Sequence, residues 1–208
     1  MNNNSELYFR IAVGSVILTW MVLRIVFQKK VGGGEKVAQR YAGREKISYM
    51  LVSFSFVPII LYVFGGLFGF GKIDFPGWLR WFGALTGLAG CALFAFTHAA
   101  LGKNWSGVLE IAKDHRLVTN GPYRLVRHPM YSAFFMMGIG VLLLSANWFV
   151  GGVNLLAVTY MYVVRVLDEE KMMLDQFGEE YKVYMTRTGR LVPQFWKSSD
   201  KAPDYFDT

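Results

Sequence analysis

Tyr131 to Val164 reads YSAFFMMGIGVLLLSANWFVGGVNLLAVTYMYVV, 34 consecutive positions without a charged side chain. A helix needs about 20 residues to cross the hydrocarbon core of a bilayer. The stretch is therefore too long for one ordinary span and rather short for two. Its polar break is Ser145-Ala146-Asn147, followed by Trp148, the natural place for a tight reversal. The run reads as a helical hairpin, Tyr131 to Ala146 and Trp148 to Val164, whose arms are short enough to be tilted or not fully crossing.

Three further apolar runs precede it. Leu7 to Phe27 carries Arg10 and Arg24 near its ends, where long side chains can snorkel to the interface. Ile47 to Phe70 has no charge, and Trp78 to Leu101 has Arg80 near its start and His98 near its end. The expected fold is an all-α integral membrane protein of about five transmembrane helices, the last two a tight helical hairpin. Composition agrees: 53% of the 208 residues are hydrophobic, 18% are charged, and the mean hydropathy is +0.30. Soluble domains carry about 25% charged residues, so composition argues against a water-soluble enzyme. Aromatics at 16% and the long apolar runs exclude disorder. The single cysteine, Cys91, excludes an intramolecular disulfide framework and a cysteine-rich metal site.

The net charge of +7 is a matter of location. Gln28 to Lys46 holds six Lys/Arg, Gly102 to Met130 holds five, and the tail from Asp168 holds six, while the opposite loops keep only Lys72. Five spans put the three basic segments on one side, and the positive-inside rule then places the amino terminus outside and the tail in the cytoplasm. Basicity thus reflects topology and anionic headgroups, and no nucleic-acid partner is expected. The first run, preceded by Glu6 and lacking a clear small-residue cleavage site, reads as a span and not a cleaved leader. Asn104-Trp105-Ser106 matches a glycosylation pattern but falls on the cytoplasmic side. Gly83, Gly87, Cys91, Ala95 and Ala99 form a small-residue ridge for close helix packing in lipid, within the protein or between subunits. Pro58 is expected to kink the second span.

Polar residues concentrate in the loop Gly102 to Met130 and after the last apolar run. Gly121-Pro122 marks a turn, and Pro129 suits the first turn of the next helix, whose start offers free N–H groups to an anionic group. Taken alone, His128-Pro129 reads as simple capping. Arg165 follows directly on the uncharged run and lies four before Glu169, so the two share one helix face. An ionisable residue at that depth is a functional candidate; an interfacial ion pair anchoring the helix end is the plainer reading, and spacing does not choose between them. Met173, Phe177 and Tyr181, extended by Tyr184 and Met185, make an apolar stripe for a helix lying back on the protein or bilayer.

Two stretches, HRLVTNGPYRLVRHPMY from His115 and RVLDEEKMMLDQFGEEYKVYMTRTGRLVP from Arg165, together with the hydrophobic hairpin between them, resemble the isoprenylcysteine carboxyl methyltransferase family. The resemblance is specific from Leu101 to Pro193 and is close to the short five-helix prokaryotic members; before Leu101 only the hydropathy profile agrees. It implies an integral membrane methyltransferase that uses S-adenosylmethionine, with the cofactor pocket at the cytoplasmic face. Carried over by position, cofactor contacts fall on His115, Arg116, Leu117, Val118, Tyr123, His128, Pro129, Met130, Tyr131 and Glu169. Arg165 falls at the substrate carboxylate, and Arg165 and Glu169 are the implied catalytic pair. No metal is implied. The implied organisation is one integrated domain. Residues 1–101 form three transmembrane helices; 102–208 form a cofactor-binding loop, the hairpin and a cytoplasmic region with an amphipathic helix.

The implied partners are the bilayer and a lipophilic or prenylated substrate that enters from it. Carboxylate methylation needs no general base, because a carboxylate is already anionic at pH 7. A phospholipid amine or a small thiol is the alternative acceptor on the same scaffold, and an ammonium acceptor would call for a base such as His128 or His115. A non-catalytic membrane scaffold or transport subunit is the alternative of another class. The membrane is the plasma (inner) membrane in a prokaryote or the endoplasmic reticulum in a eukaryote.

Overall fold

The computed structural model describes residues 3–28, 42–65, 69–102 and 117–194. Among them the chain forms seven α-helices: α1 (Asn3–Gln28), α2 (Ala42–Phe54), α3 (Phe56–Gly65), α4 (Gly77–Leu101), α5 (Pro129–Ser145), α6 (Trp148–Phe177) and α7 (Glu179–Arg187). Four segments are long and apolar enough to cross a membrane, namely Ser5–Phe27, Lys46–Gly65, Gly77–Leu101 and Trp148–Phe177, and the 17-residue α5 is a shorter apolar helix. Their outer faces carry exposed Leu18, Phe54, Phe64, Phe82, Phe96 and Leu156. Such a belt is stable against lipid and not against water. The chain is a multi-pass membrane protein.

Two elements differ from the runs that announce them. The second run is broken at Ser55 into α2 and α3. Pro58 is the cause, because it has no N–H for the carbonyl of Phe54 and its ring crowds that carbonyl. The helix formed by the last apolar run does not end at Val164; α6 continues as one helix of 30 residues to Phe177, about 45 Å at 1.5 Å per residue. Its charged final third is helical because it packs against the polar loops. Between α5 and α6 lie only Ala146, in the left-handed conformation at φ 46°, and Asn147. The Asn147 Oδ1 accepts from the N–H groups of Phe149 (2.9 Å) and Val150 (3.1 Å), which caps α6.

The small-residue ridge is used inside the protein. A Cβ on Gly140 of α5 would lie 2.7 Å from the Gly87 Cα of α4, and one on Gly90 would lie 2.9 Å from the Ala133 carbonyl oxygen. The backbones of α4 and α5 therefore touch, as small residues allow in lipid. Cys91, buried on the same face, has its Sγ 3.7 Å from Met137 Sδ. Phe9, Val13, Val16 and Trp20 of α1 complete this core with Ile59 and Tyr62 of α3.

At the end where α1 and α4 begin, charge is buried but matched. Arg80 is 2% exposed; its guanidinium donates to Glu6 (2.8 Å) and, through Nε, to the Leu144 carbonyl (2.9 Å). The Tyr62 hydroxyl donates to Glu6 at 2.6 Å. Arg10 satisfies the Val63 carbonyl at the end of α3. In the first third of α6, Asn154 Nδ2 donates to Ser55 Oγ at 2.9 Å, tying α6 to the break between α2 and α3.

Candidate active site

The other end of the bundle gathers the start of α5, the charged third of α6, α7 and the segment before α5. That segment turns at Gly121, whose φ of 57° suits glycine, into a 3-10 turn over Gly121–Arg124 with Pro122 in its first positions. Gly178, at φ 51°, reverses the chain from α6 into α7. After α7, the backbone runs beside the segment before α5. Arg127 N–H donates to the Gly189 carbonyl (2.8 Å) and His128 N–H to the Arg190 carbonyl (3.0 Å). Ser132 Oγ donates to the Leu191 carbonyl at 2.6 Å. The stripe expected on the tail helix turns inward: Tyr181, Tyr184 and Met185 form a buried cluster with Leu117, Met173, Leu174 and Phe177 around it.

Glu170 holds this end together. Its side chain is fully buried, and two guanidinium groups and an imidazole converge on it: Arg127 Nε (3.0 Å), His128 Nε2 (3.3 Å) and Arg190, which reaches both oxygens with a closest approach of 2.6 Å. Arg127 also donates to the carbonyls of Met185 (3.0 Å) and Thr188, which satisfies groups that the end of α7 leaves without helical partners.

Glu169, one residue earlier, points elsewhere. The Tyr131 hydroxyl donates to its Oε1 at 2.7 Å, Arg165 Nε donates to the same oxygen at 3.1 Å, and His128 Nδ1 lies 3.5 Å from Oε2. Arg165 Nη1 also donates to the hydroxyl of Tyr49 on α2. Glu169 keeps 21% of its side chain exposed while Glu170 keeps none. Of the two neighbours, Glu169 is the one a ligand can reach.

His128 therefore presents each ring nitrogen to a carboxylate. Burial by itself lowers the imidazole pKa, but hydrogen bonds and charge from Glu169 and Glu170 outweigh it and raise the value above the ordinary one. Both nitrogens act as donors only in the protonated ring. Burial likewise pushes the Tyr184 phenol up to about 12, and its hydroxyl donates to the Tyr123 carbonyl at 2.7 Å. Burial also raises the phenols of Tyr123 and Tyr181.

The residues singled out from sequence fall into three groups. Arg165, Glu169, His128 and Tyr131 form one hydrogen-bonded cluster, with Pro129, fully buried, opening α5. Tyr123 and Leu117 belong to the tyrosine cluster of α7 beside it. Met130 packs into the core between the helices, and Val118 is half-buried. His115 and Arg116 lie outside the described residues. Sequence reasoning passed over Tyr49, Arg127, Glu170 and Arg190. The adjacent pair Glu169-Glu170 was a usable signal, since successive helical residues point about 100° apart and so serve different neighbours. Among the described residues no group of three or more His, Cys, Asp or Glu side chains is placed to hold a metal ion.

Comparison with known proteins gives a consistent picture. The family model for the isoprenylcysteine carboxyl methyltransferase (ICMT) family matches residues 84–175. Protein-S-isoprenylcysteine O-methyltransferase B of Arabidopsis thaliana is 26% identical over 188 residues, covering 85% of this chain and 92% of that protein. The Protein-S-isoprenylcysteine O-methyltransferase of Tribolium castaneum is 31% identical over 126 residues, 57% of this chain and 45% of the beetle protein. A solved structure of the eukaryotic intramembrane Ras methyltransferase ICMT superposes with a TM-score of 0.52 at 27% identity, over 74% of this chain and 53% of that one. The chain thus spans about half the length of the Tribolium relative and of the solved chain, and nearly all of the Arabidopsis one.

Proposed function

We propose that this chain, whose residues 84–175 match the isoprenylcysteine carboxyl methyltransferase family model, transfers a methyl group from S-adenosylmethionine to a carboxyl-terminal isoprenylcysteine or a similar lipophilic carboxylate. The observation that carries this reading is the Arg165–Glu169 pair, 3.1 Å apart on α6, with the Tyr131 hydroxyl on the same glutamate oxygen. It sets a cation for an anionic acceptor beside a carboxylate for the donors of a cofactor.

The residues present fit S-adenosylmethionine. Glu169 is partly exposed and takes ribose hydroxyls or an ammonium group through charge-assisted hydrogen bonds. His128 makes no side-chain cap on α5, so the first-turn N–H groups beside Glu169 suit a carboxylate. Tyr131 and His128 fix the Glu169 orientation. When bound, S-adenosylmethionine supplies an electrophilic sulfonium methyl group. Arg165 holds the acceptor carboxylate in its fork, and the buried tyrosines of α7 keep water out. No proton moves, because the acceptor is already ionised.

Depth favours a lipid-borne acceptor. Arg165 lies about 26 Å along α6 from its start, and Tyr131 about 21 Å from the end of α5. Both distances are within the roughly 30 Å of a hydrocarbon core, so the pair sits at its inner edge. There a carboxylate on an apolar tail arrives sideways. The charge distribution supports a cytoplasmic placement of this edge. Amine methylation is disfavoured, because an ammonium must lose a proton and His128 already faces a carboxylate from each nitrogen.

The test is transfer of labelled methyl from S-adenosylmethionine to N-acetyl-S-farnesylcysteine by the detergent-purified chain, with a long-chain amine and a thiol as parallel acceptors. The expected product is an ester whose label mild alkali releases as methanol. Label that appears only on the amine or thiol and survives alkali would overturn the carboxylate reading.

A further inference from the structure

Acceptor binding has so far been placed on Arg165 alone, yet the guanidinium is held from two helices. Nε is fixed at 3.1 Å to Glu169 on its own helix. Nη1 donates to the hydroxyl of Tyr49 on α2, and the guanidinium carbon stands 5.2 Å from the centroid of the Tyr49 ring. An arginine tied only to a residue four further on would lie along α6. The tie to Tyr49 turns it across the gap between α2 and α6, and a ring face close to a cation adds attraction. The junction below is fixed as well, by Asn154 of α6 on Ser55. Tyr49 thus sits on a helix braced against α6, and that helix lies outside the matched segment 84–175.

We propose that Tyr49 is the positioning residue that holds Arg165 for the acceptor carboxylate, so that α2 sets acceptor affinity while Glu169 and the start of α5 serve the cofactor. The inference rests on Arg165 being the acceptor anchor. Without the Tyr49 hydroxyl, the Arg165 guanidinium keeps its Glu169 contact but loses the tie that turns it across the gap between α2 and α6 toward the acceptor. Cofactor binding keeps its groups. The loss therefore falls on acceptor KM first.

Wild-type full chain, Tyr49→Phe and Tyr49→Leu are compared in detergent, by calorimetric titration with S-adenosylhomocysteine and by methyl transfer against N-acetyl-S-farnesylcysteine concentration. Tyr49→Phe keeps the ring face and removes the hydroxyl; its acceptor KM rises about tenfold or more, the scale of a hydrogen bond to a charged group, with kcat falling less. S-adenosylhomocysteine affinity stays within about twofold. Tyr49→Leu loses the ring as well and raises KM further. Unchanged KM in Tyr49→Phe overturns the proposal, and so does a parallel loss of S-adenosylhomocysteine affinity, which marks a general structural role. If the premise is wrong, the wild type itself leaves the carboxylate unmethylated, a different result that removes this proposal with it.

Discussion

Arg165 and Glu169 are in direct contact across one turn of α6, Nε to Oε1 at 3.1 Å. The two groups assigned to different ligands are thus partners of each other before either ligand arrives. Each side chain therefore holds the other in orientation, so the site is ordered before either ligand binds.

Arg165→Lys keeps the charge and loses the planar fork. Acceptor turnover, as kcat/KM, is expected to fall about 10- to 100-fold, or roughly 1.4 to 2.7 kcal/mol, while S-adenosylhomocysteine affinity changes little. Steady-state methyl transfer beside calorimetry separates the two. Equal turnover in the variant would remove Arg165 from the acceptor site.

Glu170→Gln should act on stability and not chiefly on chemistry. The substitution leaves Arg127, His128 and Arg190 converging on a neutral amide in a buried position, and breaking a buried pair costs about 3–5 kcal/mol. A fall in the thermal midpoint of about 10 °C follows for a chain of this size. Scanning fluorimetry in detergent measures it, with Arg165→Lys as the comparison that should move little. A Glu170→Gln midpoint equal to wild type contradicts the clamp.

The raised pKa of His128 fixes the sign of a pH effect. A group bound more tightly when protonated adds stability that is complete below its unfolded value, about 6.5, and disappears as pH rises through the higher folded value. Wild-type thermal stability should therefore decline above about pH 6.5 more steeply than that of His128→Asn. Parallel curves for the two proteins mean that His128 is not an imidazolium between the two glutamates.

Close backbone contact between α4 and α5 predicts a cost for any side chain at Gly140. Its Cβ would meet Gly87 Cα at 2.7 Å, and forcing atoms into a packed contact costs about 1–3 kcal/mol. Gly140→Val is expected to lower the thermal midpoint and to weaken ligand binding by shifting the α5 start. Gly152, where a Cβ meets nothing within 4 Å, is the control position.

What the sequence made legible was what repeats locally. The uncharged runs set the helices, the four-residue interval put Arg165 beside Glu169, and Pro129 marked the start of α5 with His128 and Tyr131 around it. The missing parts depend on contacts distant in sequence. Tyr49 meets Arg165 from 116 residues away, and Arg127 meets Glu170 from 43. No local pattern says which of two adjacent glutamates faces the loop and which faces α5, because that depends on the azimuth at which α6 packs. The kink expected from Pro58 falls at Ser55, since a proline disrupts the turn before it. Arg80 and Glu6, near the starts of separate runs, gave no sign that α1 and α4 bury them together.

The most direct measurement is calorimetric binding of S-adenosylhomocysteine to the detergent-purified chain, wild type beside Glu169→Gln. Micromolar affinity in the wild type, weakened about tenfold or more in the variant with its thermal midpoint retained, is the expected result; a charge-assisted hydrogen bond is worth that much. No binding to well-folded wild-type protein, or equal binding by both, would contradict the placement of the cofactor at Glu169.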